Sequence, residues 1–500
     1  MKNETWTLKA LPPDRQAIKS KWVFRIKKNS DGSLDKYKAR LVAKGFTQVY
    51  GVDFQETYAP VAGISTIRCL VAWAVENQWI MEQYDINSAY LQSELSDEVY
   101  MEQPEGFVKS GSERLVCHLK RSIYGLKQSA RRWNEKFDHV IKSKGMKRCK
   151  ADACVYHITF QDGCRARIVL YVDDIFTFCE NASARKQMRT LLEGSFDVRY
   201  LGPLRSCVGI DFVPVGNGML LTQGNYVRKL VKRFHMEECK PTAMPADPTL
   251  RLTKAGYVKK DPSASQAESC NFPFRELIGA LTYITTATRP DCAYAVNFLA
   301  QYNSCPTVDH WEAAKRILRY LKGTADYGIY YRPTGKPLTA FADADWSHSM
   351  DDRRSITGYA FYLAGAPVVY RSIRQPNVTL STMESEYVAL SECAREAIWL
   401  RELLSEIGVQ HTNTRELLPT LIWSDSKSAI SFSESYIEKT RSKHVSIRYY
   451  FLREQIEAKE VNLKYIPGYC NPADILTKPL NGVRHNQLVK SLGMQARLSP

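Results

Sequence analysis

Five hundred residues exceed what one hydrophobic core organises, and 44% apolar with 24% charged residues is the composition of folded protein, so two to four subdomains are expected. A formal net charge of +16 favours a polyanionic partner over an acidic one. Thirteen cysteines without a CxxC pair or a histidine pair at zinc-ligand spacing exclude a disulfide framework and a structural zinc site, and every apolar stretch is broken by charge before membrane-spanning length.

In chain order, the first informative element is a candidate strand, Trp79 to Tyr84, that ends in Asp85. Asn87 has the chemistry of a helix N-cap, and Ser88-Ala89-Tyr90-Leu91 reads as a short helix after it. The stretch Lys120 to Lys150 is dense in Lys and Arg around Trp133 and Phe137, a composition suited to tracking phosphates without sequence preference. Further on, Ile168-Val169-Leu170 and Ile175-Phe176-Thr177-Phe178 flank Tyr171-Val172-Asp173-Asp174 and read as a hairpin with acids at its turn. Adjacent carboxylates beside so much apolar chain suffer desolvation and mutual repulsion unless a cation neutralises them; a solvated acidic turn is the alternative. Asp85 at a strand end and the acid pair at a hairpin tip supply what is needed to hold two divalent ions about 4 Å apart for in-line nucleotidyl transfer.

Between Cys239 and Pro273 the chain turns rich in Pro, Ala, Ser and Lys and reads as an extended connector, with Pro241, Pro245, Pro248 and Pro262 opposing regular structure. Phe274 to Tyr302 and His310 to Leu321 read as packing helices, the second with Trp311, Ala314, Ile317, Leu318 and Leu321 at helical spacing. There follow a strand over Leu338 to Ala342, a strand pair over Ile356 to Tyr370, and a strand and long helix over Val378 to Ile407. A strand and helix over Thr420 to Phe432, then a helix, strand and final helix over Lys443 to Leu480, complete the pattern, read as β-β-β-α-β-α-α-β-α. Asp343, Glu386, Asp425 and Asp474 fall on four of these elements, an arrangement able to hold two metal ions. Asp345 shares a strand face with Asp343 and Glu384 lies two residues before Glu386, so composition leaves both pairs open.

These residues carry a family resemblance. Asp85 to Leu91, Tyr124-Gly125-Leu126-Lys127-Gln128-Ser129-Ala130-Arg131-Arg132-Trp133 and Tyr171 to Asp174 resemble the successive palm motifs of copia-type LTR retrotransposon Pol polyproteins. Asp352-Arg353-Arg354-Ser355, Glu396 to Leu400, Thr440 to Val445 and Ala473 to Leu480 match the ribonuclease H region of the same family, and the likeness runs from about Trp22 to Leu480. It implies an α+β and α/β chain: a right-hand polymerase with fingers, palm and thumb-like helices, then a connector and a ribonuclease H-like domain. The implied boundaries are 1–238 for fingers, palm and the start of the thumb, 239–273 for the connector, 274–336 for a helical thumb or connection segment, 337–484 for the nuclease and 485–500 for a tail.

The resemblance also implies roles. Asp85, Asp173 and Asp174 hold metal for polymerisation; Asp343, Glu386, Asp425 and Asp474 hold it for RNA cleavage. Mg²⁺ is expected, two ions per site, with Mn²⁺ as a substitute. Lys21 to Lys28 and Lys36 to Gly45 resemble the two fingers strands, with Lys28 and Arg40 on the incoming triphosphate. Tyr90 excludes a 2′-hydroxyl by its bulk and Gln128 lines the nucleotide pocket. Lys127, Arg131, Arg132 and Gly209 meet template and primer; Cys207 to Phe212 occupies the primer-grip position, although Cys207-Val208 replaces the family's Phe-Leu. His444 assists product release or hydrogen-bonds near a helix start.

The partners implied are an RNA template, a DNA primer, the RNA–DNA hybrid and deoxynucleoside triphosphates, together with other element-encoded proteins. An intracellular location is expected, in cytoplasmic particles and in the nucleus, without membrane insertion. The family's zinc knuckle, protease and integrase patterns are missing, so the chain reads as a polymerase and nuclease piece that lacks residues completing the fingers. The alternative is a catalytically inactive nucleic-acid-binding relic of a truncated element.

Overall fold

The computed structural model describes residues 3–28, 34–254, 256–257, 272–347, 349–408, 418–434 and 446–497. The chain packs as two compact units, and the division differs from the implied boundaries. The first unit comprises residues 1–62 and 80–203; the second comprises 204–500 and the excursion 63–79. The core of that excursion is helix α1 (Ile64–Glu76), whose residues from Thr66 to Val75 are all buried. A helix apolar all round must be covered on every side, which explains why it packs as part of a larger core.

In the first unit, β1 (Ser20–Lys28) and β2 (Leu34–Ala43) form a two-stranded ribbon. The central sheet contains β3 (Ile80–Ile86), β4 (Arg165–Tyr171), β5 (Asp174–Cys179) and β6 (Val198–Pro203), in the spatial order β6-β3-β5-β4 with two shorter strands beyond. All these pairings are antiparallel. Two helices supply its core. On α2 (Ser129–Ser143) Trp133, Phe137 and Ile141 recur every fourth residue, and on α3 (Ala182–Glu193) Ala184, Met188 and Leu192 do the same. Asn181 caps α3 by accepting from the Ala184 amide at 3.0 Å.

In the second unit, the single helix expected over Phe274 to Tyr302 is two, α4 (Phe274–Ala287) and α5 (Ala293–Ala300). Pro290 in the break has no N–H to continue the helix. The gap is filled by Arg289 and Asp291, an ion pair at 2.7 Å with neither side chain more than 1% exposed, to which Tyr320 donates its hydroxyl at 2.7 Å. Helix α6 (Val308–Gly323) buries Ala314, Ile317, Leu318 and Leu321 of the stripe read from the sequence, while Trp311 is only partly buried. The short strand Ser206–Cys207 pairs with Ile210–Val215 across a two-residue turn at Val208 and Gly209, both at positive φ. Apart from the short pair Leu252–Thr253 and Gly256–Tyr257, the described part of the connector is irregular.

The second sheet is built from β7 (Thr339–Asp345), β8 (Ile356–Leu363), β9 (Ala366–Arg374), β10 (Thr420–Ser424) and β11 (Val461–Tyr465). Its order is β9-β8-β7-β10-β11, antiparallel among the first three strands and parallel thereafter. The long helix α7 (Thr382–Glu406) packs on this sheet and against α8 (Lys427–Glu434) and α9 (Ser446–Glu457). The order β-β-β-α-β-α-α-β is as read from the sequence, with two corrections. Residues 375–381 are a loop, since all three strands are complete by Arg374; the final helix is a 3₁₀ turn, Pro472–Leu476, followed by α10 (Gly482–Ser491). No disulfide links the cysteines among the described residues, and no described helix is long and apolar enough to cross a membrane.

Arg68 shows why α1 belongs to this unit. Its guanidinium is 1% exposed, lies 4.4 Å from the Tyr370 ring centroid, and donates to the carbonyls of Val368, Thr286 and Ala287. Two of those carbonyls end α4, where no further turn of helix satisfies them. Replacing Arg68 with Met keeps much of the stem but takes the guanidinium from the Val368 and Ala287 carbonyls, while Thr286 keeps the Tyr370 hydroxyl at 3.1 Å, so the Arg68→Met protein should lose about 3 kcal/mol in the denaturant transition of the second unit. A loss of under about 0.5 kcal/mol would mean that water replaces the guanidinium without penalty.

Candidate active sites

The first cluster forms where two hairpin strands meet β3. Asp174 opens β5 and lies directly opposite Asp85 on one side and Tyr171 on the other, and the Ile86 amide donates to the Asp173 carbonyl at 2.8 Å. The three acids expected to converge therefore do so. Val172, in the turn, has φ +58, an uncommon conformation for a β-branched residue. It is held there by the buried Trp133, whose indole N–H donates to the Val172 carbonyl at 2.6 Å. Burial, then the neighbouring Asp173 and Asp85, push the Asp174 carboxyl up to about 6, with Gln83 as a weak compensating donor at 3.4 Å.

The expected short helix is a 3₁₀ turn, Ala89–Gln92, and Asn87 does not cap it: its side chain donates to Asp197 at 2.8 Å. Tyr90 in this turn lies 4.6 Å from the Tyr124 ring, and Arg40 sits 5.1 Å over the Tyr124 face. Burial and then Asp173 raise both hydroxyls, Tyr124 to about 12. Tyr124 carried no assigned role in the sequence, although it begins a motif. Arg40 is brought here by a close backbone approach: the Ala43 amide donates to the Tyr124 carbonyl at 2.8 Å, and a Cβ on Gly125, at φ +97, would fall 2.1 Å from the Ala43 carbonyl.

The second cluster draws on four elements. Asp343 on β7, Asp425 after β10 and Asp474 in the 3₁₀ turn each offer a carboxylate oxygen within 4.8 Å of the others. Glu386 on α7 lies in the field of Asp343 and Asp425. Of the two glutamates left open by the sequence, Glu384 serves the helix start, where Ser381 accepts its amide at 3.2 Å and its own carboxylate accepts from the Leu380 amide at 2.7 Å. Asp343 is 2% exposed and Asp345 is partly exposed. Gly358, the register partner of Asp343, makes room for this assembly, because a Cβ there would lie 2.6 Å from Thr477 and 2.8 Å from Leu476. The turn is further tied to β7 by Asn471, which donates to the Ala342 carbonyl at 2.9 Å.

Burial is the leading cause that raises Asp343, Glu386 and Asp425 above the ordinary carboxyl range; the mutual repulsion of the acids adds to it. Glu386 Oε2 and Asp425 Oδ1 are buried without a hydrogen-bond partner among the described residues. Orphaned oxygens in an all-carboxylate donor set suit a hard divalent cation.

Comparison with known proteins bears on both clusters. Residues 3–248 match the family described as reverse transcriptase (RNA-dependent DNA polymerase). Those residues are a reverse transcriptase domain of that family. The retrovirus-related Pol polyprotein from transposon TNT 1-94 of Nicotiana tabacum is 36% identical over 95% of this chain and 36% of its own length. That from transposon RE2 of Arabidopsis thaliana is 36% identical over 98% of this chain and 33% of its own. The chain is thus homologous to copia-type Pol polyproteins over most of its length and spans about a third of these relatives. Among solved structures, a foamy viral protease-reverse transcriptase in complex with double-stranded DNA covers 89% of this chain and 66% of its own at 12% identity and a TM-score of 0.45.

Other expected positions of this reverse transcriptase relative are placed as follows. The Lys28 side chain and His444 lie outside the described residues. Gln128 is 1% exposed, and its amide is taken up by Gln48, the Asp53 carbonyl and Asp97. Lys127 covers the Phe54 ring at 4.6 Å. Arg131 pairs with Glu56 and Glu135, and Arg132 with Asp97 and Glu135. Trp133 and Phe137, read as part of a phosphate-tracking segment, are core residues packed on Phe196. Gly209, at φ +67, belongs to the second unit, where the Tyr283 hydroxyl donates to the adjacent Val208 carbonyl.

Two outcomes are expected. Trp133→Phe keeps an aromatic ring but removes the donor to Val172; it should cost about 1–3 kcal/mol and loosen the hairpin tip, read as faster amide exchange at Asp173 and Asp174. The second concerns pH. A raised folded-state carboxyl binds its proton more readily than the unfolded chain does. It contributes stability that is complete below the ordinary value of 3.8 and is lost as pH rises through the raised value. Without divalent metal, Asp343→Asn should melt above the parent at pH 8, by about 2–4 °C per kcal/mol relieved, with the gap closing at pH 4. A gap of the same size at both pH values would remove ionisation of the buried carboxyl as its cause.

Proposed function

We propose that this chain is an RNA-directed DNA polymerase that also hydrolyses the RNA strand of RNA–DNA hybrids. The observation that carries the first half is the register of Asp85 opposite Asp174 at the tip of a hairpin, in a reverse transcriptase domain. The second half rests on Asp343, Glu386, Asp425 and Asp474, gathered on a β9-β8-β7-β10-β11 sheet of the ribonuclease H type.

In this reading β1 and β2 are the fingers, the β6-β3-β5-β4 sheet is the palm, and the helices from α4 to α6 are the thumb and connection. Asp85, Asp173 and Asp174 hold Mg²⁺, or Mn²⁺ in its place, as do the four acids of the second cluster. Bound there, the ions supply charge neutralisation and activation of the attacking oxygen, a 3′-hydroxyl in one site and water in the other. Arg40, held over Tyr124, pairs with the triphosphate of the incoming deoxynucleotide. Tyr90, backed by the Tyr124 ring, presents a wall where a 2′-hydroxyl would sit and selects deoxynucleotides by sterics. Gln128 acts on the pocket through Gln48, Asp53 and Asp97 as a positioning residue. Lys28, Lys127, Arg131, Arg132 and Gly209 are assigned to triphosphate, template and primer. The salt links of Arg131 and Arg132 then have to exchange for phosphate contacts, which makes binding steeply salt-dependent.

The two activities separate by substitution. With purified chain, Mg²⁺, a primed RNA template and a labelled hybrid, Asp173→Asn should lower primer extension on the order of 100-fold or more while hybrid cleavage persists. Asp425→Asn should do the reverse. Equal loss of both activities in either variant, or loss of neither, would overturn the assignment of separate sites.

A further inference from the structure

Asp474 is assigned above as a metal ligand, yet both its oxygens are already engaged by cations. Lys478 Nζ lies 2.8 Å from Oδ1 as an ion pair without hydrogen-bond geometry, whereas Arg484 Nη2 donates to Oδ2 at 2.8 Å. The two cations are not equivalent. Arg484, on the first turn of α10, also donates to the carbonyls of Gly468 and Tyr469, so three acceptors fix it outside the cluster. Lys478 has no such anchor among the described residues. Its ammonium reaches inward to 3.8 Å from Asp343 Oδ2 and acts on Glu386 and Asp425 as well. The side chain is 36% exposed while that of Asp343 is 2% exposed, so the ammonium enters a buried acid cluster from the solvent side and has a way out.

We propose that Lys478 is a resident counter-cation of the nuclease cluster: its ammonium neutralises Asp474 and Asp343 in the metal-free protein and must leave before a divalent ion can bind. Arg484 then keeps Asp474 oriented through Oδ2 while Oδ1 is released. Thr477 holds Asp343 in the same way by donating to Oδ2. The ammonium thus lowers apparent metal affinity in exchange for a cluster that stays assembled without metal. This rests on the nuclease reading given above.

The test uses the full chain carrying Asp173→Asn, so that the polymerase cluster contributes little metal binding, with free Mn²⁺ measured by electron paramagnetic resonance. Adding Lys478→Gln should tighten Mn²⁺ binding by at least about fivefold, and adding Arg484→Gln should weaken it. Unchanged or weaker binding in Lys478→Gln overturns the proposal. A second measurement needs no change at Lys478: acylation of its amine, followed by mass spectrometry, should rise severalfold when Mn²⁺ saturates the site, with Lys490 as the reference. Labelling that stays level or falls also overturns it. Asp343→Asn separates the two readings: if it leaves Mn²⁺ binding unaltered, the cluster is not a metal site and the nuclease reading itself fails.

Discussion

Holding several carboxylates close together, partly exposed in the first cluster and mostly buried in the second, is the constraint on which both sites depend. Each acid brought into such a cluster raises the cost of ionising the next. The fold must therefore supply the holding force from elsewhere, through contacts indifferent to charge or through internal cations, and the two clusters differ in which they use.

At the first cluster the force is geometric. Asp85 and Asp174 are fixed by sheet register, and the turn bearing Asp173 is fixed by an indole hydrogen bond to the strained Val172. The nearest help for Asp174 is a neutral amide, Gln83. At the second cluster the sheet fixes Asp343, but Asp474 arrives on a 3₁₀ turn that needs the missing side chain of Gly358, the Asn471 tie to Ala342 and two cations to stay seated. A turn lacks the ladder of hydrogen bonds that a strand has, and at Asp474 two cations help to hold it in place.

Legibility in the sequence follows the same line. Acids at strand ends announce themselves, because apolar runs bound them: the Asp85 strand, the Asp173 hairpin and the chain order of the elements that form the second sheet could all be read. Contacts that depend on tertiary approach left no local signal. Trp133 looked like one more aromatic in a basic stretch, yet it is the residue that holds the hairpin tip. Gly358 lies inside a strand pattern and Gly125 inside a motif, and only the neighbouring backbone explains either. The apolar run of helix α1 has no polar face to mark it as a helix, and its place in the second unit rests on carbonyls as far away in sequence as Val368, 300 residues from Arg68. Spacing left Glu384 and Glu386 open, and the part that Glu384 plays in the helix cap is visible only in the fold.

The membership of α1 in the second unit has a consequence for how the chain is built. Residues 63–79 lie between β2 and β3 in sequence, so the second unit cannot complete its core until chain on both sides of the first cluster has been made. The buried Arg68 with its carbonyl acceptors leaves no half-satisfied alternative, since either partner alone would keep polar groups out of water. Sequence neighbours of the first cluster are thereby structural members of the unit that carries the second, and the boundary drawn from motifs cuts through a core that the packing does not divide.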